Sequence, residues 1–166
     1  MESGHDCDHR AAGPVPLYGV VDSGQVGAGE IVIDGYTEGD VYRLDLREGD
    51  GLGIPPMDQP PPAWTMKKDG KPIACGGIVH VGSGIGVVWV QITDEARGHG
   101  LKLCRFARNA VKIVFEEMKF HRIQATVRAD RPEYRRWAEL MGFECEGLMR
   151  KAAPDQTDLY LYARVT

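Results

Sequence analysis

Two glycines alternate with nitrogen-bearing side chains in the run Arg97-Gly98-His99-Gly100-Leu101-Lys102, which follows the apolar stretch 89–92. Glycine allows backbone to approach a ligand closely, and the first N–H groups of a helix carry the positive end of its dipole. A phosphate or pyrophosphate is the ligand that such a turn binds. The sequence therefore predicts an anion site at Arg97–Lys102. Lys102 and Arg105 are candidate phosphate contacts, although a solvated helix surface is the simpler interpretation of these two charges.

Two helices and an intervening strand are predicted after this turn. Apolar residues recur at helical spacing over 101–120 and indicate a long amphipathic helix. Residues 122–128 alternate between apolar and polar side chains, which is typical of a half-buried strand. A second helix is predicted over 132–141, capped by Asp130 with Glu133 at the reciprocal position, and ended by Gly142.

Short hairpins are predicted on either side of these helices. Strands over 63–67, 72–81 and 86–93 are separated by the turn residues Asp69-Gly70 and Gly82-Ser83-Gly84. A last hairpin is predicted from the segments 143–150 and 157–165.

The N-terminal part of the chain is less regular. Residues 1–29 are predicted to be an extension, flexible or peripheral, with 30–166 forming a single domain. A strand is expected at 30–33, and Thr37 with Asp40 is expected to cap a helix over 38–47. The proline-rich segment 49–62 cannot hold a regular helix, and it is interpreted either as a wall or lid beside a site or as an ordinary surface connection.

Composition narrows the class of protein. The chain has 166 residues, of which 43% are hydrophobic and 27% charged, and this fits one globular domain. No apolar run is long enough to span a membrane, and a signal-peptide pattern is absent from the first residues, so a soluble cytoplasmic protein is expected. The formal net charge of −4 argues against a nucleic-acid partner.

The cysteines predict neither disulfides nor a metal site. The four cysteines include no C-x-x-C pair, so reduced and mostly buried thiols are expected. His5, Cys7 and His9 have ligand chemistry, but a flexible tail is the favoured interpretation because a rigid supporting shell and a fourth ligand are missing.

The order of these elements and three local motifs resemble the GCN5-related N-acetyltransferase (GNAT) superfamily over about residues 30–165. Ile92-x-x-x-x-Arg97-Gly98-His99-Gly100-Leu101 resembles the acetyl-CoA pyrophosphate loop of the family. Ala74-Cys75-Gly76-Gly77-Ile78 is similar to its third strand, and Leu140-Met141-Gly142-Phe143 with Glu146-Gly147 is similar to its Gly-Phe signature. The resemblance implies an α+β fold, with a central mixed and mostly antiparallel sheet flanked by helices. The strands around Val90 and Gln124 should run parallel and splay apart.

The function implied by the resemblance is acyl-CoA-dependent N-acyl transfer, from acetyl-CoA as cosubstrate to an amine of a small molecule, peptide or protein. Val90 and Ile92 would then offer backbone groups to the pantetheine arm. The pyrophosphate would lie on the N–H groups of Gly98, Gly100 and Leu101. A homodimer is an open alternative to a monomer.

Three positions depart from the family pattern. Lys102 stands where a small residue is usual, so its side chain must leave the site or reach the phosphates itself. Arg131 and Ala138 replace the usual Asn and the usual general-acid Tyr. The Arg136-Trp137 pair is similar to that of divergent GNAT-like proteins encoded by tailed phages and prophages. The alternative function is therefore a catalytically inactive GNAT-fold binding module, or a module associated with phage virions or their assembly.

Candidate catalytic residues follow from what acyl transfer needs. Tyr134 lies one helical turn before Ala138 on the same face and is the candidate general acid, although a Tyr that packs at a helix start is an equally good interpretation. The candidate bases are Glu133, Asp130, His80 and His99, with an ordered water as the alternative. Cys145 has no partner residue placed for nucleophilic catalysis.

Overall fold

A computed structural model describes residues 30–37, 39–51 and 62–166. Within these described ranges, seven strands and three α-helices follow one another. They are β1 (Ile31–Gly35), β2 (Ala63–Lys68), β3 (Lys71–Gly82), β4 (Ile85–Ile92), α1 (Asp94–Arg97), α2 (Gly100–Met118), β5 (Arg122–Arg128), α3 (Pro132–Leu140), β6 (Glu144–Met149) and β7 (Leu159–Val165).

All seven strands form one mixed sheet in the order β1-β2-β3-β4-β5-β7-β6. Every neighbouring pair is antiparallel except β4 and β5, which are parallel and are joined by the segment that contains α2. A parallel pair needs such a crossover connection, whereas the antiparallel pairs can be joined by tight turns. The predicted α+β architecture with a mixed sheet is therefore confirmed.

The core lies between one face of the sheet and the helices α2 and α3. Side chains alternate along β5, so Ile123 and Val127 face this core, where they meet Val114 and Phe115 of α2. Tyr162 of β7 is also fully buried there, and its hydroxyl donates to Glu139 Oε1 at 3.0 Å. The opposite face of the sheet is free of α2 and α3 and contributes to the site described below.

The predicted helix over 38–47 is wrong. Over residues 39–47, which the structure describes, a single 3-10 turn forms at Val41–Arg43, and Gly39 before it has a φ of +92°. Thr37 and Asp40 do interact as predicted, because the Thr37 N–H donates to Asp40 Oδ2 at 3.1 Å. The Asp40 carboxylate is buried, however, and accepts a 2.8 Å hydrogen bond from Thr65 Oγ1 of β2. This tertiary contact holds the segment against the sheet instead of letting it wind into a helix.

The cap predicted for the second helix is also wrong. Arg131 occupies the N-cap position of α3 without a side-chain cap bond, and Asp130 turns back to bind the Arg128 guanidinium. The predicted stop is confirmed, because Gly142 has a φ of +83° just after the helix. The sequence prediction for 122–128 matches β5, and the other strands differ from their predictions by a few residues.

Several predictions fall outside the described residues. They concern the extension 1–29 with its His5, Cys7 and His9, and most of the proline-rich segment 49–62. Within the described part of the chain, no helix is long and apolar enough to cross a membrane, and no group of His, Cys, Asp and Glu is arranged to hold a metal ion.

We expect Ile123→Ala to destabilise the protein by about 2–5 kcal/mol, because truncating a fully buried side chain loses its transfer free energy and leaves a cavity. Val165→Ala is the control, since Val165 is 61% exposed and its truncation should cost less than about 0.5 kcal/mol. Urea unfolding followed by circular dichroism measures both. Equal effects of the two substitutions would contradict the core assigned to the helix-covered face.

Candidate active site

The central parallel strands separate partway along their length. Backbone pairing between β4 and β5 covers Ile85 with Arg122, Gly86 with Ile123 and Val87 with Gln124, and it extends no further. A cavity of about 650 Å³ reaches the region where the strands part. Val90 and Ile92, the two residues expected to contact a cofactor arm, line this cavity, and so do residues on both faces of the sheet. The splay predicted around Val90 is thus present.

The predicted anion loop lies at the same end of β4. Thr93 caps α1 by accepting the Ala96 N–H at 3.3 Å, and its own hydroxyl donates to the Ile73 carbonyl at 2.9 Å. The strand therefore does not lead directly into the long helix. The short α1 intervenes, and α2 begins at Gly100 instead of Leu101.

The backbone of this loop determines which N–H groups face outward. The Gly98 N–H donates to the Glu95 carbonyl at 3.2 Å, while the N–H groups of Lys102 and Leu103 both donate to the His99 carbonyl. The first N–H groups of a helix have no partner within that helix, and at this position they belong to Gly100 and Leu101. Residues Arg97–Lys102 together line a shallow, open depression. A Cβ added at Gly100 would meet no heavy atom within 4 Å, so the space in front of it is free.

Lys102 does not reach into this depression. Its ammonium donates to the Ile31 carbonyl of β1 at 2.5 Å. The Lys102 side chain therefore leaves the site and does not reach toward the phosphates, which were the two alternatives for this position. Its contact with Ile31 ties the first turn of α2 to the edge of the sheet. Arg105 is exposed on α2.

Tyr134 belongs to a charged group that we call the Asp50 cluster, formed by Asp50, Arg97, Arg131 and Tyr134. The Tyr134 hydroxyl donates to Asp50 Oδ2 at 2.5 Å and accepts a hydrogen bond from Arg97. Arg97 Nη2 lies 3.3 Å from the same carboxylate oxygen, and Arg131 Nε lies 3.7 Å from Oδ1. Two residues linked to the departures from the family pattern therefore contact the same buried carboxylate. One is Tyr134, the candidate acid one turn from Ala138, and the other is Arg131, at the usual Asn position.

Burial and the hydrogen bond to Asp50 raise the pKa of Tyr134 to about 12. The phenol therefore keeps its proton over the whole neutral range. Asp50 has a side chain that is 5% exposed, and its Oδ1 is buried without a hydrogen-bond partner among the described residues. Both Asp50 and Tyr134 line the cavity. A neutral phenol can donate a proton, and a carboxylate oxygen without a hydrogen bond can accept one, which are the two functions that a proton transfer needs.

Arg128 at the end of β5 fastens two loops beside the cavity. Its guanidinium donates to the Gly49 carbonyl at 3.1 Å and to Asp155 Oδ2 at 2.8 Å, and it also binds Asp130 and Thr157. The hydrogen bond from Arg128 lowers the pKa of Asp155 to about 2. The bends at residues 48–51 and 153–157 are thereby held by a single side chain.

The candidate bases are not gathered at this site. His80 is exposed at the paired end of β4 and β5, where it packs on Phe120. Glu133 forms an ion pair with Arg47, and Asp130 one with Arg128. His99 lies in the anion loop.

The cysteines of the described residues lie outside the Asp50 cluster. The three described cysteines are free thiols, of which Cys145 is exposed, contrary to the expectation of mostly buried ones. Burial raises the pKa of Cys75 to about 11, which keeps that thiol protonated. Cys104 accepts a hydrogen bond from Trp137 Nε1 at 2.8 Å.

Sequence reasoning missed Asp50, Arg128 and Trp89, all of which line the cavity. Asp50 lies in a stretch of glycines and prolines that suggests a turn, and its partners Arg97 and Tyr134 are 47 and 84 residues away. The signal that was available is that Arg131 is itself one of the positions where the family pattern fails, and that Tyr134 lies one helical turn before the other, Ala138.

Comparison with solved structures identifies the fold. A GNAT-family acetyltransferase from Bacillus anthracis matches with a TM-score of 0.61 and 18% identity, over 84% of this chain and 97% of that chain. A mutant of the spermidine N-acetyltransferase SpeG from Vibrio cholerae matches with a TM-score of 0.64 and 14% identity, over 82% of this chain and 94% of that chain. No protein-family model and no curated protein matches the sequence. The chain therefore has the fold of GNAT acetyltransferases, as its motifs predicted, whereas the narrower resemblance to phage proteins stays a prediction.

We expect Arg128→Gln to return the Asp155 pKa from about 2 toward the usual value near 4. Because the folded-state pKa is depressed, the stabilisation from this pair is present above about pH 4 and is lost as the pH falls toward 2. The difference in stability between wild type and variant should therefore shrink with acidification. Carboxyl-carbon NMR titration and urea unfolding at several pH values measure the two effects, and an unchanged Asp155 titration would contradict the pairing.

Proposed function

We propose that this protein is an acyl-CoA-dependent N-acyltransferase that moves an acetyl group from acetyl-CoA to an amine. The observation that carries the proposal is the cavity between the separated strands β4 and β5, which lies next to an open glycine loop at the start of α2. An extended thioester with a pyrophosphate needs both parts, an apolar slot and an anion site. The fold alone does not decide the function, because one fold hosts many activities.

The residues of the chain fit acetyl-CoA as a cosubstrate. Its pyrophosphate would be held by the N–H groups of Gly100 and Leu101 and by the positive end of α2, with Gly98 and His99 shaping the loop. The open space in front of Gly100 leaves room for a phosphate oxygen. Val90 and Ile92 would border the pantetheine arm along β4. Lys102 and Arg97 would contribute through the structure of the loop, since their side chains bind Ile31 and Asp50.

Tyr134 is the proposed general acid. When the amine nitrogen attacks the thioester carbonyl, a C–N bond forms, the C–S bond breaks, and the sulfur leaves with a negative charge. The Tyr134 hydroxyl would give its proton to that sulfur, and Arg97, which already donates to the hydroxyl oxygen, would stabilise the phenolate.

Asp50 is the proposed acceptor of the proton that the amine loses. Its Oδ1 lacks a hydrogen-bond partner within the described chain, while Oδ2 accepts the Tyr134 hydroxyl. A proton taken up at Oδ1 and passed from Asp50 to the phenolate would restore Tyr134. One proton leaves the nitrogen and one reaches the sulfur, so the sum of the steps is a simple transfer of the acyl group.

Gly100→Asp should weaken CoA binding by on the order of 1–3 kcal/mol, because a carboxylate at this position blocks and repels a phosphate. Gly100→Ala is the structural control, since the added methyl meets no neighbour within the protein. Calorimetric titration with acetyl-CoA and with desulfo-CoA measures the affinities. An Asp variant that binds CoA as tightly as wild type would place the anion site elsewhere.

Tyr134→Phe should leave CoA affinity intact and lower turnover by roughly 10²–10⁴-fold, the range typical of a general acid. Tyr42→Phe, at a residue that is 87% exposed, removes a hydroxyl outside the Asp50 cluster and should have no effect. Since the pKa of Tyr134 is about 12, its ionisation should not limit the rate below about pH 11. Unchanged turnover in the Phe variant would leave water as the proton donor. Binding of CoA without turnover of any amine by the wild type would favour the non-catalytic module.

A further inference from the structure

The bend that carries Asp50 belongs to no helix or strand of the described chain. Residues 48–51 form a turn, and the Asp50 N–H donates to the Arg47 carbonyl at 3.0 Å. Gly49 and Gly51, on either side of Asp50, have φ values of +82° and +126°. Because such a turn has no ladder of backbone hydrogen bonds, the position of Asp50 depends on the contacts that other elements make with the bend.

Side chains from two neighbouring elements bind the backbone of this bend. Arg131, at the start of α3, donates from Nη2 to the Glu48 carbonyl at 3.3 Å. Arg128, at the end of β5, donates from Nη1 to the Gly49 carbonyl at 3.1 Å. Arg47 also forms ion pairs at the beginning of the bend, but their side chains are exposed and such pairs contribute little. The two carbonyl contacts are therefore the backbone anchors of the bend.

Arg128 is the more rigid of these two anchors, because acceptors are available to all five of its N–H groups. Nε and Nη2 donate to the two carboxylate oxygens of Asp130 at 3.0 and 2.9 Å, and Nη2 also donates to Thr157 Oγ1 at 3.1 Å. Nη1 donates to Asp155 Oδ2 at 2.8 Å and to the Gly49 carbonyl. The donors of a guanidinium lie in one fixed plane. Its partners outside the bend therefore fix the direction of the N–H that binds Gly49.

The Arg128 guanidinium also packs directly on the backbone of Gly49. A Cβ added at Gly49 would meet Nη1 and Nη2 of Arg128 at 3.2 Å and Cζ at 3.3 Å, which is tighter than ordinary van der Waals contact. The next residue is Asp50, whose Oδ2 accepts the Tyr134 hydroxyl at 2.5 Å. Arg128 is thus in contact with the backbone one residue before the proposed proton acceptor.

We propose that Arg128 is a positioning residue for acyl transfer, which holds Asp50 against Tyr134 by binding the Gly49 carbonyl. This role rests on the proposed function, because it concerns the same acid and the same proton acceptor. Groups that transfer protons must lie within hydrogen-bond reach of each other and of the substrate. A displacement of about 1 Å costs on the order of 10²-fold in rate. The other hydrogen bonds of Arg128 serve to keep its contact with Gly49 in place.

Two variants loosen the bend by different means. Arg128→Gln removes the donor to the Gly49 carbonyl, whereas Gly49→Ala pushes the guanidinium away without changing any charge. Arg122→Gln is the control for the first variant, since Arg122 lies at the other end of β5 and pairs with Glu146. Gly70→Ala is the control for the second, because Gly70 has a φ of +76° and an added Cβ there meets no heavy atom within 4 Å. The two alanine variants therefore share the backbone strain and differ in the contact with Arg128.

The ionisation of Tyr134 reports the position of Asp50 independently of activity. Burial and the hydrogen bond to Asp50 raise the pKa of Tyr134 to about 12, whereas Arg97 lowers it. In Arg128→Gln and in Gly49→Ala this pKa should fall toward the usual value near 10, because Asp50 moves away from the hydroxyl. It should stay at about 12 in both controls. Carbon-13 NMR of tyrosine labelled at Cζ measures it, with Tyr134→Phe to assign the signal and circular dichroism to confirm that the fold is intact at each pH.

Turnover with acetyl-CoA is then measured on butylamine, spermidine and aniline, and the variants are compared on the amine that the wild type acetylates fastest. Arg128→Gln and Gly49→Ala should lower kcat by about 10–100-fold, and both controls should keep the wild-type rate. A Tyr134 pKa that stays at about 12 in both test variants would overturn the proposal, and so would a fallen pKa with unchanged turnover. If Arg128→Gln does not fold, Gly49→Ala alone decides.

The outcomes separate this proposal from the proposed function. A fall of the Tyr134 pKa in the test variants, with no amine acetylated by the wild type, would refute the acyltransferase function and leave the hold of Arg128 on Asp50 supported. Acetylation at equal rates by the wild type and both test variants would refute the positioning role and leave the acyltransferase function supported.

Discussion

The parting of β4 from β5 is the constraint on which the rest of the structure depends. Three residue pairs hold the strands together at one end, and a seven-stranded sheet must then accommodate a gap at its centre. The sheet remains whole because β3 continues along β4 and β7 along the full length of β5. The long helix α2 crosses between the two strands and covers one face of the gap. The sheet therefore contains an open slot, while the core between the sheet and the helices remains regularly packed. Side chains from both faces of the sheet can reach this slot.

Local sequence signals predicted most of these elements because the information is contained in short segments. The alternation of apolar and polar residues predicted β5, and Gly142 predicted the end of α3, where the structure has a positive φ. The loop glycines predicted the start of α2, which begins at Gly100 itself. The helix expected over 38–47 does not form, because here a contact between residues far apart in the sequence overrides the local signals. Its capping pair formed, but a buried hydrogen bond from Thr65 to Asp40, across 25 residues, determined the path of the backbone. A propensity argument cannot include a partner that only the tertiary fold supplies.

The site was only partly predictable for the same reason. Tyr134 could be selected from helical spacing, because one turn of helix relates it to Ala138. Asp50 could not, since its contacts are with side chains far along the chain that meet it only in the folded protein. The three positions that depart from the family pattern were each informative once their contacts were known. Lys102 binds the edge strand, Arg131 faces Asp50, and the buried Ala138 lies one turn from Tyr134.

The register shift in β6 affects how molecules of this protein behave toward one another. β6 is an edge strand whose residues are all exposed, and such strands invite the pairing that leads to aggregation. The shift falls between Cys145 and Gly147, where Glu146 turns to bind Arg122 at 2.8 Å. An interrupted ladder with an acidic residue at the break is a poor template for a further strand. The irregularity therefore favours colloidal solubility even though Leu148 and Met149 remain exposed beside it.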